Sequence, residues 1–594
     1  MRLCFKKSKF LPVDNFFENI LYDNQFGYYA TKQPFGRDGD FITSPKVSNL
    51  FSEIIAIWLI NTWENFGKPK KFNFVELGPG DGSLTKTLLD TFKKFPEFNS
   101  VKKIYLYEKS NYLKKSIDQI ISENNIPFKW SVKVTNELSS LTFSNESNRI
   151  NLEDVPFVTI DGKDAKDFDD AVFCDENKSG YILYVAIADV ADVVKEETEI
   201  DKEAFKRGTS IYFPKKVIPM LPEKISNDMC SLVPNQKRNV LVCKIYFDTE
   251  ATINTFEFIE GQIKSSQRFT YEEVERFESI DSKVSNSISS LRLLTKKLLL
   301  KRSKRHALEI ESSEPYIAVN DEGELQKISF PKRLFAHQMI EESMIAANVC
   351  AAKFMKQNFG YGIYRVHEEP EFLKLENLKK FFQLKGFSGS SSSNALDLLN
   401  SFSKHASKNN ENKLLNILIL QSLKRAQYST KEIGHFGLQL ERYSHFTSPI
   451  RRYPDLLAHR LIKSVIKNSN KNYSQEIFEK NLNELSSLEK RAEVASRQVT
   501  QQMICYHLQK FLGEEFNTVV VGVAEFGLFC EIQDKYISGL IHVSDLKRDR
   551  YIFDSQANIL KGKRTGKTYR IGQKIRAQLV NVIPEDRKIT LLPA

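Results

Sequence analysis

The chain has 594 residues with 86 basic against 75 acidic side chains, a formal charge of +11, 41% hydrophobic and 27% charged residues. That length implies roughly three to five domains, and the supply of Phe, Leu and Ile excludes wholesale disorder. The most apolar stretch, Ile54 to Ile60, falls far short of the roughly 20 residues that cross a bilayer, so no membrane partner is expected. The last fifty residues, Asp545 to Ala594, hold 12 basic and 5 acidic side chains. Such a surplus fits a polyanion-binding surface, and equally a solvated basic face. The seven cysteines are scattered, odd in number and without zinc-ligand spacing. Reduced thiols in a cytoplasmic protein are the simplest account, and the N-terminus lacks an apolar run of signal-peptide length.

In chain order the pattern divides into 1–113, 114–510 and 512–594. In the first part, Phe72 to Leu77 reads as a buried strand running into Gly78-Pro79-Gly80-Asp81-Gly82. A helix from Leu84 to Phe92 follows, then a strand from Ile104 to Tyr107 that ends in Glu108. Glycines let the backbone approach a cofactor closely, and an acid one βα unit later can accept ribose hydroxyls. Glu76, Gly78, Gly80 and Gly82 form an E-x-G-x-G-x-G pattern that, with Glu108 after the next strand, favours S-adenosylmethionine over a dinucleotide.

In the second part, a strand from Phe157 to Ile160 enters Asp161-Gly162-Lys163-Asp164-Ala165-Lys166-Asp167-Phe168-Asp169-Asp170, and an apolar strand from Tyr181 to Ile187 follows. Carboxylates packed so densely repel unless a cation lies among them, and their oxygens suit Mg²⁺ or Mn²⁺. A solvated acidic turn is the bland alternative. The third part alternates like strands, with Phe526 and Phe529 in one hairpin and His542 in the next strand.

Three resemblances emerge from these motifs. Phe35-Gly36-Arg37-Asp38-Gly39-Asp40-Phe41-Ile42-Thr43-Ser44-Pro45 with the helix Leu50 to Trp58 resembles the MidA-like methyltransferases. That family needs a seven-stranded sheet, whereas the pattern here stops after two strands. We therefore read a truncated, partial Rossmann-like α/β fragment with a vestigial S-adenosylmethionine loop, and expect no methyl transfer.

The stretches VPFVTIDGKDAKDFDDAV, VAIADVADVV, RGTSIYFPKKVIPMLPEKISNDMCSL and HFTSPIRRYPDLLAHR resemble the RNB catalytic domain of ribonuclease R and ribonuclease II. The resemblance implies a mixed sheet with helices and Mg²⁺-dependent 3′→5′ hydrolysis of single-stranded RNA to nucleoside 5′-monophosphates. It assigns Asp161, Asp167, Asp169 and Asp170 to metal binding and catalysis, and Arg451 to the scissile phosphate. Tyr212 would stack on the 3′-terminal base, Glu341 or Glu342 would meet the terminal ribose, and Arg452 would bind RNA. His435 and His445 are read as structural or RNA-contacting. Ile310 stands where the family places a phenylalanine clamp, and the methyltransferase-like fragment replaces the usual cold-shock domains.

Phe516 to Ser544 resembles an S1-type domain, an OB-fold β-barrel. The resemblance implies a stacking platform of Phe526, Phe529 and His542, with Lys547, Arg548 and Arg550 on phosphates. Strand alternation alone puts at least one of those phenylalanines in the core. The expectation is thus a multidomain α+β exoribonuclease acting as a monomer. A bifunctional methyltransferase and a catalytically idle RNA-binding fusion are the alternatives.

Overall fold

The structure, a computed structural model, describes residues 49–77, 83–107, 112–141, 149–276, 282–310, 316–320, 323–330, 333–384, 386–387, 394–407, 412–469, 474–533, 535, 537–546, 549–554 and 559–594. The segment Phe35 to Pro45, Gly78, Gly80, Gly82, Glu108, Lys547, Arg548 and Cys4 lie outside the described residues. The chain forms two compact units, Met1–Ser110 and Asn111–Ala594.

In the first unit, the helix Asn49–Asn65 buries Ala56, Leu59, Ile60 and Trp63 against Leu88, Phe92 and Phe98. Its other side carries Ile54, Ile57 and Trp58, which are exposed. Strand β1 (Phe72–Leu77) pairs in parallel with β2 (Lys102–Tyr107), and the helix Ser83–Phe92 connects them. Among the described residues this sheet has two strands. Two strands cover little apolar surface, so a helix that is apolar on two sides keeps one of them exposed.

The second unit is built on a seven-stranded mixed sheet. Its strands are β3 (Ile150–Asn151), β4 (Val158–Asp161), β5 (Asp170–Asn177), β6 (Gly180–Ala188), β9 (Lys237–Phe247), β10 (Ile253–Lys264) and β11 (Gln267–Thr270), in the order β11-β4-β5-β6-β9-β10-β3. A separate hairpin, β7 (Ile211–Phe213) with β8 (Lys216–Ile218), lies between β6 and β9 in the sequence. The central strands read as near-continuous apolar runs because they are buried on both faces: Leu183, Val185, Ala186, Ile187 and Val240 to Cys243 have no exposed surface. The helix Lys283–Lys304 packs on β5 and β6, and the helix Phe335–Phe359 on β6 and β9.

The 34-residue helix Gln475–Leu508 leads into the C-terminal barrel. The barrel closes in the order Glu515–Ala524, Gly527–Ile532, Ile537–His542, Lys588–Pro593, Lys574–Ile583. One hydrophobic cluster unites Val499, Met503 and Leu508 of the long helix, Val520 and Leu528 of the barrel, and Ile211 and Phe213 of β7. The fold is multidomain α+β, with a mixed sheet in the middle and an OB-like barrel at the end. Cys174, Cys230, Cys243, Cys350, Cys505 and Cys530 are buried free thiols. Among the described residues no helix is long and apolar enough to cross a membrane.

Candidate active site

The acidic loop spans from the end of β4 to the start of β5 and is tied down by groups distant in sequence. The Phe168 N–H donates to Ser231 Oγ (3.0 Å), whose hydroxyl donates to the Lys166 carbonyl (2.8 Å). Arg268, on β11, donates from Nη2 to the carbonyls of Gly162 (2.8 Å) and Lys163 (2.7 Å). The Asp169 carbonyl accepts from Ala188 N–H, and the Phe168 carbonyl from Leu232 N–H. With its backbone fixed, the loop turns Asp161, Asp167, Asp169 and Asp170 into one cavity of about 370 Å³.

Elements from across the second unit complete that cavity. Tyr212 comes from β7, Tyr271 from the residue after β11, Glu341 and Asn348 from the helix Phe335–Phe359, and Arg451 and Arg452 from the loop preceding the helix Tyr453–Ile466. Tyr212 is 43% exposed, its hydroxyl donates to Asp167 Oδ2 (3.0 Å), and its carbonyl accepts from Ser496 of the long helix (3.0 Å). Asp169 accepts from the Ile450 N–H (2.9 Å) and lies 3.5 Å from Arg451 Nε. Arg451 also donates from Nη2 to Ser448 Oγ (3.1 Å).

Electrostatics set this loop apart from an ordinary acidic turn. Burial, then the neighbouring Asp167, lifts Asp161 to about 7. Burial lifts Asp169 to about 8 even against Arg451. Asp170 is raised by burial and by the charges of Asp161 and Asp169. Asp161 Oδ2 and Asp170 Oδ2 are buried without a hydrogen-bond partner. Buried, unpartnered, mutually repelling carboxylate oxygens are the donor set that a hard divalent cation satisfies. Among the described residues, however, no three His, Cys, Asp or Glu side chains are gathered as a ready-made metal site. Asp167 is engaged by Tyr212, and Asp169 by Ile450 and Arg451. The residues fit a cation in charge and chemistry, and the side chains would have to close in to hold it.

Other sequence expectations separate here. Glu341 lines the cavity, held by Arg302 (2.7 Å) and Arg333, whereas Glu342 is buried behind it against Arg302 (2.8 Å). Of the two glutamates, Glu341 is the one that can reach a ligand. Arg452 borders the cavity, but its Nη2 is committed to Asp455 (2.7 Å). His445 is partly buried, with Nδ1 2.8 Å from the Tyr428 hydroxyl; burial, then the nearby arginines, holds its pKa well below the usual value. His435 is likewise pushed down to about 3 by burial and the neighbouring His367. Ile310 packs against a cluster of helices that includes Leu399 and Phe402.

The barrel corrects one expectation. Neither phenylalanine is core: Phe526 is 50% and Phe529 38% exposed, their rings edge-to-face at 5.9 Å. Leu528 and Cys530 take the inward positions of that strand, so alternation places Phe529 outward. His542, opposite Gly527 on the paired strand, is exposed on the same side as Phe529.

Sequence reasoning missed Arg268, Ser231, Tyr271, Asn348 and Asp455. Tyr271 opens a short helix whose capping box, Thr270 with Glu273, was visible as a helix start. Nothing in the local pattern showed that β11 lies parallel to β4 with Thr270 opposite Asp161, the pairing that brings Tyr271 to the cavity. In the first unit, Glu76 accepts from the Thr85 hydroxyl; the rest of the glycine pattern is outside the described residues.

Comparison with known proteins matches residues 149–468 to the family described as RNB domain and residues 509–592 to the S1 RNA binding domain. Residues 54–147 match a family described as putative S-adenosyl-L-methionine-dependent methyltransferase. Ribonuclease R of Vibrio parahaemolyticus is 35% identical over 502 residues, covering 79% of this chain and 59% of that protein. Ribonuclease R of Aquifex aeolicus is 34% identical over 517 residues, covering 84% and 72%. The solved structure of Mycoplasma genitalium RNase R in complex with ribose methylated single-stranded RNA is 31% identical, with a TM-score of 0.76 over 84% of this chain and 81% of that one. The chain thus spans about 60% of the length of the Vibrio relatives it matches.

Proposed function

The chain belongs to the RNB family, and on that premise we propose that it is a Mg²⁺-dependent 3′→5′ exoribonuclease that releases nucleoside 5′-monophosphates from single-stranded RNA. The observation that carries the reading is the convergence of four aspartates, Arg451, Tyr212 and Glu341 on one cavity of about 370 Å³, a volume in the range of small-ligand sites.

Each side chain has a task its chemistry fits. Tyr212 offers a ring face to the terminal base, and stacking accepts any base because every base has a π-face. Glu341 accepts from the hydroxyls of the terminal ribose. Arg451 neutralises the scissile phosphate with a permanent, fork-shaped charge. Asp161, Asp169 and Asp170, with Asp167, would hold the divalent metal, which when bound supplies an activated water and charge stabilisation for phosphodiester hydrolysis. Mn²⁺ satisfies the same donors. The exposed Phe526, Phe529 and His542 make the barrel a landing surface for the strand upstream of the cavity. The buried thiols suit a reducing cytoplasm, and we take the active form to be a monomer.

The test is a 5′-labelled, unstructured RNA incubated with Mg²⁺ or with chelator, using wild type and Asp169→Asn. The expected result is stepwise shortening from the 3′ end with 5′-monophosphates released, abolished by chelator and by the substitution. Wild-type turnover no faster than that of Asp169→Asn would overturn the reading.

A further inference from the structure

We propose that Asp455 is a positioning residue that sets the geometry of Arg451 and Asp169 together without touching substrate; the proposal rests on the nuclease reading above. Asp455 lies in the first turn of the helix Tyr453–Ile466, and its side chain is fully buried. Its Oδ1 accepts the Ser448 N–H (2.8 Å) and Arg452 Nη2 (2.7 Å). A single carboxylate oxygen therefore grips both ends of the segment Ser448-Pro449-Ile450-Arg451-Arg452. Everything that segment presents to the cavity depends on where it is held. The Ile450 N–H meets Asp169 (2.9 Å), Ser448 Oγ receives Arg451 Nη2 (3.1 Å), and Arg451 Nε stands 3.5 Å from Asp169.

The same segment reaches the strand that carries the stacking ring. The Arg451 carbonyl accepts from Ser210 N–H and Thr209 Oγ1, each at 3.0 Å, two and three residues before Tyr212. Upstream, the Phe446 N–H donates to Asn348 (2.8 Å) and the Phe446 carbonyl accepts from His459 (2.8 Å), so the chain arrives at Ser448 already oriented. The charge of Asp455 has a specific function in this frame. Arg452 is mostly buried, and without its counter-ion the guanidinium would turn toward another acceptor. Arg452 borders the cavity beside Arg451, so such a turn would drag Arg451 out of register. A shift of about 1 Å at a phosphate clamp is enough for a ~100-fold loss in the chemical step.

The experiment is a double-variant cycle on single-stranded RNA, read by single-turnover rate, KM and thermal melting. Asp455→Asn keeps the volume and removes the charge. It should lower kcat roughly 30- to 100-fold with KM changed less than about threefold. In an Arg451→Ala background the same change should cost less than about threefold, because the group it positions is gone. An unchanged kcat, or an equal loss in both backgrounds, overturns the proposal. Should Asp455→Asn fail to fold, Ser448→Ala decides: it removes only the hydroxyl that holds Arg451 and leaves the buried pair intact. A several-fold loss of kcat that vanishes with Arg451→Ala supports the positioning chain, and no loss, or a loss that persists, overturns it. Wild-type protein without Mg²⁺-dependent hydrolysis overturns the nuclease reading and the proposal with it. An active wild type beside an unaffected Asp455→Asn overturns the proposal alone.

Discussion

Two loops in this chain carry ligand-binding signatures, and each follows a strand of a parallel pair. The aspartate loop leaves β4, paired in parallel with β11; the glycine pattern follows β1, paired in parallel with β2. Behind the first lie five more strands and two covering helices, so its backbone is fixed by Ser231, Arg268, Ala188 and Leu232. Behind the second, the described residues offer a two-stranded sheet and a helix with Ile54, Ile57 and Trp58 exposed. The difference teaches that a motif supplies groups, while the scaffold decides whether they converge. Four aspartates meet Tyr212, Glu341 and Arg451 because elements up to 290 residues apart are packed around one sheet.

The largest effect that could break this contrast lies at Asp169. Asp169→Asn should reduce RNA hydrolysis at least about a thousandfold, since it removes a buried carboxylate whose role in metal-assisted catalysis amounts to several kcal/mol. Gly80→Ala, in the other loop, should leave hydrolysis within about twofold. A comparable loss from both would show that the two loops serve one activity. The next effect sharpens the contrast between cavity and barrel. Replacing Phe526 and Phe529 together by Ala removes two exposed rings, at roughly 1–3 kcal/mol per stacked base. RNA affinity, measured by fluorescence anisotropy, should fall tenfold or more, while the single-turnover rate on saturating RNA stays near wild type. A fall in that rate instead would place the rings in catalysis.

A smaller effect is expected on stability. Burial holds Asp161 at about 7 and Asp169 at about 8, against about 4 for an ordinary carboxylate. The metal-free fold therefore binds protons that the unfolded chain has released, and its stability falls as pH climbs from about 4 toward 8. Asp189 does not mask this, because its ion pairs with Lys463 and Arg149 hold its pKa low and matter only on the acid side. In chelator, melting should drop between pH 6 and pH 8, and Mg²⁺ should restore a few degrees at pH 8. The same melting curve with and without Mg²⁺ would argue against cation binding at these carboxylates.

Much of this was legible in the sequence for physical reasons. The strands flanking the aspartate loop are buried on both faces and therefore read as apolar runs, and the barrel hairpins alternate cleanly. The groups that hold the site were not legible. Asp455 and Asn348 look like ordinary helix residues until tertiary packing shows which N–H each accepts. The choice between Glu341 and Glu342 depends on one 100° step around a helix. The error at Phe526 and Phe529 came from carrying strand alternation back through Phe526, which lies in the turn before the strand Gly527–Ile532. Leu528 and Cys530 already fill the inward positions of that strand, so Phe529 faces outward, while Phe526 is exposed in the turn before it.

The smallest expected effect concerns S-adenosylmethionine. Cofactor loops in doubly wound folds bind at the carboxyl ends of several adjacent parallel strands, where neighbouring strands wall the crevice. Here the described first unit supplies two strands, and the hydroxyl of Thr85 already occupies Glu76. Calorimetric titration of the full chain with S-adenosylmethionine should therefore give no heat at micromolar concentrations, and hydrolysis of RNA should be indifferent to it. Micromolar binding would mean that residues outside those two strands complete the crevice. The contrast between the loops would then be one of ligand rather than of scaffold. Gly80→Ala would separate the cases, because a backbone-approach site loses affinity when a Cβ is added, and non-specific binding does not.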